Sequence, residues 1–327
     1  MALIARRDFV LAGSALVIAP FRAIAQRANK IPLVGFVLPT SSGPRFDAFI
    51  EGMRGLGYLD GGNVRIETRF ADGRPERLPL LVSELVRLEI DVLVVGATIG
   101  ARAAREATTS IPIVFAGSSD PIAGGIVSNL ARPGGNITGV SLAYGDAFAG
   151  KWLELLQEFI PHVTQFAVLW SSSNSAASGF VKELRATARR LSVRLDVHHA
   201  ADVSELIVAL DAISGSDARG FVVTPSPFAA TNQGKLVEFA ANRRLPAMYF
   251  AEDFVDAGGL MSYGPSIVDA YRRAASYVDR ILRGARPGDL PVEQPTRFEL
   301  TINRGTARAL GLDVPRAILL RAGRIVE

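Results

Sequence analysis

Asp91-Val92-Leu93-Val94-Val95, then Ala101 to Thr108, then Ile111-Pro112-Ile113-Val114-Phe115: the stretch 91–115 decides the fold. Two short, almost wholly apolar runs flank an amphipathic segment. Runs without polar alternation predict strands covered on both faces by helices, the environment of a parallel sheet. Strand, helix and strand in this order make a βα unit, so the stretch predicts an α/β protein.

The same alternation extends outward from there. Upstream, the pattern predicts a strand over 31–38, a helix over 45–56 closed by Gly57, a strand over 63–70 and a helix over 76–88. That makes four strands in one open sheet. Downstream, the Gly-rich stretch 132–139 interrupts the pattern, and a second series starts. It predicts helices over 148–159, 176–191, 204–213 and 232–242, with strands over 165–170, 194–198, 220–223 and 247–250. The pattern resets near 260–263 and gives a long helix over 267–283 and a turn-rich stretch to Pro291. A strand, a short helix and a final strand end the chain. Two doubly wound lobes joined by several chain crossings account for this order.

Size and composition narrow the function classes. The first 25 residues read as an export signal: Arg6-Arg7, a charge-free run from Phe9 to Phe21, and Ala23-Ile24-Ala25 before Gln26. A run of about 13 residues is too short to span a membrane as a helix. Arg6-Arg7 followed by Asp8-Phe9-Val10-Leu11 is similar to a twin-arginine signal, with Ala5 where that pattern prefers Ser or Thr. Residues 26–327 suffice for two ordinary domains. The formal charge of +4 falls by two units when Arg6, Arg7 and Arg22 leave with Asp8. No basic run exceeds two residues, so nothing marks a nucleic-acid partner. There is no cysteine, which excludes disulfides, thiolate chemistry and a lipid-modified cysteine. His162, His198 and His199 are the only histidines, and neighbours in a strand point to opposite faces, so no metal site is expected. No cofactor is expected either.

Catalytic motifs are absent or incomplete. Gly145 to Lys151 follows a phosphate-loop pattern, but Trp152 stands where a Ser or Thr hydroxyl should meet Mg²⁺. Neither a dinucleotide fingerprint nor a nucleophile elbow is present. What recurs is a cluster of small polar or acidic residues just after a strand. These are Thr40-Ser41-Ser42, Thr98 and Ser118-Ser119-Asp120 in the first series. Ser171-Ser172-Ser173-Asn174, Thr224-Pro225-Ser226 and Glu252-Asp253 follow in the second. Open α/β sheets bind ligands at such strand ends, although each cluster can also serve as a helix cap.

Candidate ligand contacts follow from chemistry. Helix N-termini at Ser41-Ser42 and Ser173-Asn174 suit a carboxylate, and Asp120, Glu252 or Asp253 suits an ammonium group. Together they would read an amino acid zwitterion. Tyr144, Phe148, Phe228, Tyr249 and Tyr263 are placed to stack on a flat side chain, whereas Phe115, Trp170 and Phe250 end apolar strands and read as core. The expected ligand-binding set is Thr40, Ser41, Ser42, Thr98, Ser118, Asp120, Tyr144, Ser171, Ser173, Asn174, Pro225, Phe228, Glu252 and Asp253, with no catalytic residue. For an enzyme, the one acid/base pair to nominate is Asp120 with Glu252.

Ile111 to Asp120 followed by Pro121, then Asn129-Leu130-Ala131-Arg132-Pro133-Gly134-Gly135-Asn136-Ile137-Thr138-Gly139-Val140-Ser141, resembles the ABC-transporter substrate-binding proteins of the tryptophan/tyrosine type. Phe298 to Asn303, Thr306-Ala307, Leu310-Gly311-Leu312 and Val314-Pro315 extend the likeness over essentially all of residues 26–327. Such proteins commonly end in an Ala-Asp-Glu-Val-Ile-like segment, where this chain has Ala322-Gly323-Arg324-Ile325-Val326. The resemblance implies the type I periplasmic binding protein fold, with two Rossmann-like lobes, a hinged cleft and closure on a small molecule. It places the lobes at 30–142 plus 263–288 and 143–262 plus 289–327, with crossings near 142–144, 260–263 and 287–291. It further implies a soluble, monomeric periplasmic protein that delivers an amino acid, an aromatic one first, to a membrane permease. Other small solutes (a branched-chain amino acid, a nucleobase or an amide), a sensory binding subunit and a periplasmic two-lobed enzyme are the alternatives.

Overall fold

The structure, a computed structural model, describes residues 31–144, 146–174 and 176–327. The expected export signal, 1–25, lies outside them. Among the described residues, no helix is long and apolar enough to cross a membrane.

The first lobe contains β1 (Leu33–Leu38), α1 (Pro44–Gly55), β2 (Arg65–Phe70), α2 (Leu78–Arg87), β3 (Val92–Gly96), α3 (Ala97–Ala107), β4 (Ile113–Ser118) and β5 (Ile137–Ser141). The strands form a fully parallel sheet in the order β2-β1-β3-β4-β5. β3 and β4 are buried along their whole length, as their uninterrupted apolar sequences require. The sheet has five strands, not the four expected. Ile137–Ser141 reads as part of a Gly-rich break, yet Gly139 is what lets the strand pair with β4. A Cβ there would sit 2.0 Å from the Phe115 carbonyl oxygen.

The second lobe follows with α4 (Asp146–Phe159), β6 (Gln165–Trp170), α5 (Ala177–Leu191), β7 (Arg194–His199), α6 (Val203–Ser214), β8 (Gly220–Val223), α7 (Pro227–Thr231), α8 (Gln233–Asn242), β9 (Ala247–Tyr249), α9 (Glu252–Asp256) and β10 (Met261–Gly264). Its strands run β7-β6-β8-β9-β10, all parallel, which repeats the order of the first sheet. Then α10 (Ile267–Leu282) returns to the first lobe and packs on α1, β4 and β5. The chain goes back to the second lobe for β11 (Glu299–Asn303), α11 (Arg304–Ala309), α12 (Arg316–Arg321) and β12 (Ala322–Val326). β11 is antiparallel to β10 and parallel to β12.

The crossings shift by a few residues from expectation. β10 stays hydrogen-bonded in the second sheet to Gly264, so that crossing follows 264 instead of lying within 260–263. Residues 290–293 remain with the first lobe. Thr138 Oγ1 donates to the Leu290 carbonyl, Val292 joins that lobe's core, and Glu293 bridges to Val140. The third crossing therefore lies beyond Glu293. Backbone pairing, which leaves no mark in the local sequence, holds both segments to their lobes.

Candidate functional site

Both sheets direct their carboxyl ends at one cleft. Each reverses its strand order between its first and third strands, β1/β3 and β6/β8, the point where open α/β sheets receive ligands. The cleft walls include Thr40, Ala97, Ser119 and Tyr271 from the first lobe and Pro225, Ser226, Ala230 and Phe250 from the second. Leu142 and Tyr144 form the crossing between them. The lining is mostly apolar with a few hydroxyls, the usual make-up of a small-molecule site. Ala97 and Ala143 hold left-handed backbone conformations at φ 59° and 50°. Strained non-glycine residues of this kind cluster at ligand sites.

The lobes touch directly. Arg45 Nη2, near the start of α1, donates to Asp253 Oδ2 in the first turn of α9 at 3.2 Å. Asn174 Nδ2 donates to Ser119 Oγ at 3.3 Å and to the Pro225 carbonyl at 2.6 Å. Gly73, at φ +75°, packs against Thr231, and a Cβ there would lie 2.4 Å from Thr231 Cγ2. These contacts describe a closed arrangement.

Tyr144 is fully buried at the crossing, where its hydroxyl donates to the Phe250 carbonyl at 2.6 Å. Its ring packs edge-on against Phe148, Trp152 and Phe180. Burial pushes its phenol far above the ordinary value, and the Asp253 carboxylate adds to that. Tyr271 reaches the cleft from α10. Room for it depends on Gly96, where a Cβ would meet the Tyr271 hydroxyl at 2.6 Å. Burial raises the Tyr271 phenol to about 12, against the opposing charge of Arg45, so it stays a neutral donor at ordinary pH. Its hydroxyl has no hydrogen-bond partner among the described residues and lies in the cleft wall.

The expected contacts divide into three groups. Thr40, Tyr144, Asn174 and Pro225 are at the cleft or bridge it. Ser41, Ser42, Glu252 and Asp253 line its mouth beside Arg45. The third group is occupied elsewhere. The Thr98 and Ser118 hydroxyls are buried 2.9 Å from each other beneath the first lobe's surface. Asp120 caps its own turn through Ile122 and Ala123 N–H. Ser171 pairs with Ser173, and Phe228 is buried in the core. Nor do the helix starts behave as expected. Gly43 stands at the N-cap of α1 without a side-chain bond, and Ala176 at that of α5. Asp120 and Glu252 serve separate structures, since Glu252 accepts from Ser266 Oγ at 3.0 Å. Tyr249 stacks on Phe254, and Phe148 on Tyr263, so these rings pack against each other.

Of the residues lining the cleft, Arg45 and Tyr271 stand outside every expected cluster, whereas Ser119 and Ser226 belong to the expected strand-end clusters but not to the expected contact set. Arg45 did carry a signal. A cation in the first turn of a helix opposes the macrodipole, and such a placement calls for an anion nearby. Tyr271 carried none, because within α10 it reads as one more buried residue.

Two doubly wound lobes facing each other across a hinged cleft define the type I periplasmic binding protein fold. Residues 30–326 match the model of the family described as ABC transporter substrate binding protein, and the chain belongs to that family. A tyrosine-binding protein of Clostridioides difficile (strain R20291) is 26% identical over 266 residues, 81% of this chain and 75% of that protein. Among solved structures, an ABC domain in complex with L-Trp from Streptococcus pneumonia superposes with a TM-score of 0.82 at 26% identity, covering 91% of this chain and 100% of that one. A conserved domain protein of Vibrio cholerae O1 biovar eltor str. N16961 gives 0.82 at 27%, covering 90% and 100%.

Proposed function

We propose that this protein is an extracytoplasmic receptor for an L-amino acid with an aromatic side chain, which it encloses between its lobes and delivers to the membrane permease of an ABC importer. The observation that carries this reading is the Arg45–Asp253 pair, opposite charges from opposite lobes at the mouth of an otherwise apolar cleft. An α-carboxylate takes Arg45 and an α-ammonium takes Asp253, so the zwitterion replaces a bond between lobes with two bonds to itself. The ring then lies among Leu142, Phe250, Ile267 and Tyr271, with the Tyr271 hydroxyl and Ser119 as polar contacts. The tyrosine- and L-Trp-binding relatives support the ligand class.

Since the ligand bridges both lobes, it binds the closed form better than the open one and shifts the population accordingly. That is a sufficient signal for a permease, and no covalent step is required. In this reading residues 1–25 direct export, by the twin-arginine route or another, to the periplasm, where the protein acts as a monomer without cofactor.

Isothermal titration of the purified protein with L-tryptophan, L-tyrosine, L-phenylalanine, L-leucine, adenine and ribose tests the ligand class. Saturable one-to-one binding of the aromatic amino acids, micromolar or tighter, is expected. Binding of adenine or ribose without any amino acid overturns the ligand class. Recovery of the ligand chemically altered after incubation overturns the receptor reading.

A further inference from the structure

The second lobe carries another concavity, of about 550 Å³, which shares no residue with the cleft. One wall is α5, which presents Lys182, Arg185 and Arg189. The other is formed by Val197 and His199 of β7, with Trp170 at the end of β6. The three cations are spaced i, i+3 and i+7, which puts them along one helix face over about 10 Å. Among the described residues none of the three has an ion pair or a side-chain hydrogen bond. Their neighbour Arg190 is different, since it reaches Glu154 and Thr187. Arg185 and Arg189 are four residues apart, where like charges repel. Glu205 is engaged by His199 Nδ1 and by the Ala201 N–H, Glu183 accepts from Thr187 Oγ1, and Asp196 pairs with His198 Nε2. His199 is fixed on its other side by Ser172, and its ring packs on Trp170 with centroids 4.6 Å apart.

β7 adds the second half of the site. Among the described residues it is the outermost strand of its sheet and pairs only with β6, which leaves one side of its backbone ladder open among them. An open edge accepts a further strand. Val197 and His199 alternate onto the same face of β7, the face that lines the groove with α5. A strand added there turns every second side chain toward Lys182, Arg185 and Arg189. One small anion satisfies only part of a row of charges this long. An indole within a basic groove also supplies the aromatic anchor on which interfaces commonly depend.

We propose that this groove docks an extended acidic peptide segment of a partner protein, paired to the edge of β7 with its carboxylates facing α5. The probe is the peptide acetyl-Glu-Val-Glu-Phe-Glu-Val-Glu-amide, followed by tryptophan emission at low salt. The chain has two tryptophans. Trp152 is buried in the core, so the response should come from Trp170 and vanish in Trp170→Phe. Saturable binding is expected, weakening with salt. It should weaken at least tenfold in the triple variant Lys182→Gln, Arg185→Gln, Arg189→Gln, and as much when the central Phe and the Glu after it are both N-methylated, since one of two successive N–H groups faces β7 in either register. Arg190→Gln should leave it unchanged. A thermal unfolding midpoint of the triple variant within a few degrees of the parent's, read by circular dichroism, shows that it folds. The proposal is overturned if the triple variant binds the peptide as well as the parent does, or if the doubly N-methylated peptide binds equally. It is also overturned if phosphatidylglycerol vesicles or inorganic phosphate, and not the peptide, give the charge-dependent Trp170 response.

Discussion

Two polar loops end strands of the two lobes and use similar side chains differently. After β4, Asp120 turns its carboxylate back onto Ile122 and Ala123 N–H, 2.9 Å each, and so stabilises its own turn. After β6, Asn174 does two things at once. Its Oδ1 accepts from Ala176 N–H, and its Nδ2 donates to Ser119 across the cleft and to Pro225. A carboxylate only accepts, so once committed to a turn it has no donor to offer the other lobe, whereas an amide both accepts and donates. The same contrast separates Asp120 from Asp253. Asp253 faces a cation of the opposite lobe, which makes it part of closure.

The largest expected effect that tests this contrast lies at the charge pair. Arg45→Ala should weaken binding of an aromatic amino acid by about 2 kcal/mol, roughly 30-fold by isothermal titration, because the ligand carboxylate is left without its partner in the closed cleft. An affinity within twofold of the parent would remove Arg45 from the ligand's contacts. Asn174→Asp comes next. It keeps the acceptor for Ala176, loses the donor to Ser119 and sets a buried carboxylate against the Pro225 carbonyl of its own lobe, so stability should fall by about 2 kcal/mol and affinity about tenfold through a weaker closed state. An affinity of the folded variant within twofold of the parent would mean that the residue is structural only.

Gly73→Ala probes the third contact between the lobes. Its Cβ collides with Thr231 only when the lobes are closed, so a loss of roughly fivefold is expected, about 1 kcal/mol. Thr231→Ala in the same chain should recover part of it. No recovery would assign the loss to backbone strain at φ +75° alone. The smallest effect on binding is expected at Asp120→Ala. Affinity should stay within twofold, while denaturant unfolding shows about 1 kcal/mol less stability from the lost cap. A drop in affinity at this position would restore Asp120 as a ligand contact and break the contrast.

Much of the fold was legible because its signals are local. β6 and β8 occupy the expected ranges, 165–170 and 220–223, and α5 and α10 differ from expectation by one residue at one end, as apolar periodicity allows, whereas α3 starts at Ala97, four residues before the expected 101. β5 was not legible, since Ile137–Ser141 becomes a strand only through pairing with a segment some twenty residues earlier. The five-residue helix α7 escaped because Ser226, its cap, read as one more polar residue after a strand. For the site, a hydroxyl after a strand marks the right end of the sheet without saying where the hydroxyl points. Ser118 turns into the lobe toward Thr98 while its neighbour Ser119 faces the cleft.

The sequence by itself determined that this is a doubled α/β chain without cysteine chemistry, with polar clusters at successive strand ends. Those properties depend on residue type and short-range period, which the chain carries locally. The tertiary structure decided which polar ends share a cleft, that Arg45 meets Asp253 and Asn174 meets Ser119, and that Tyr271 enters from a helix that belongs to the first lobe but follows most of the second. The partners in these contacts are 208 and 55 residues apart in the two hydrogen bonds, and only sheet order and chain crossing bring such positions within reach.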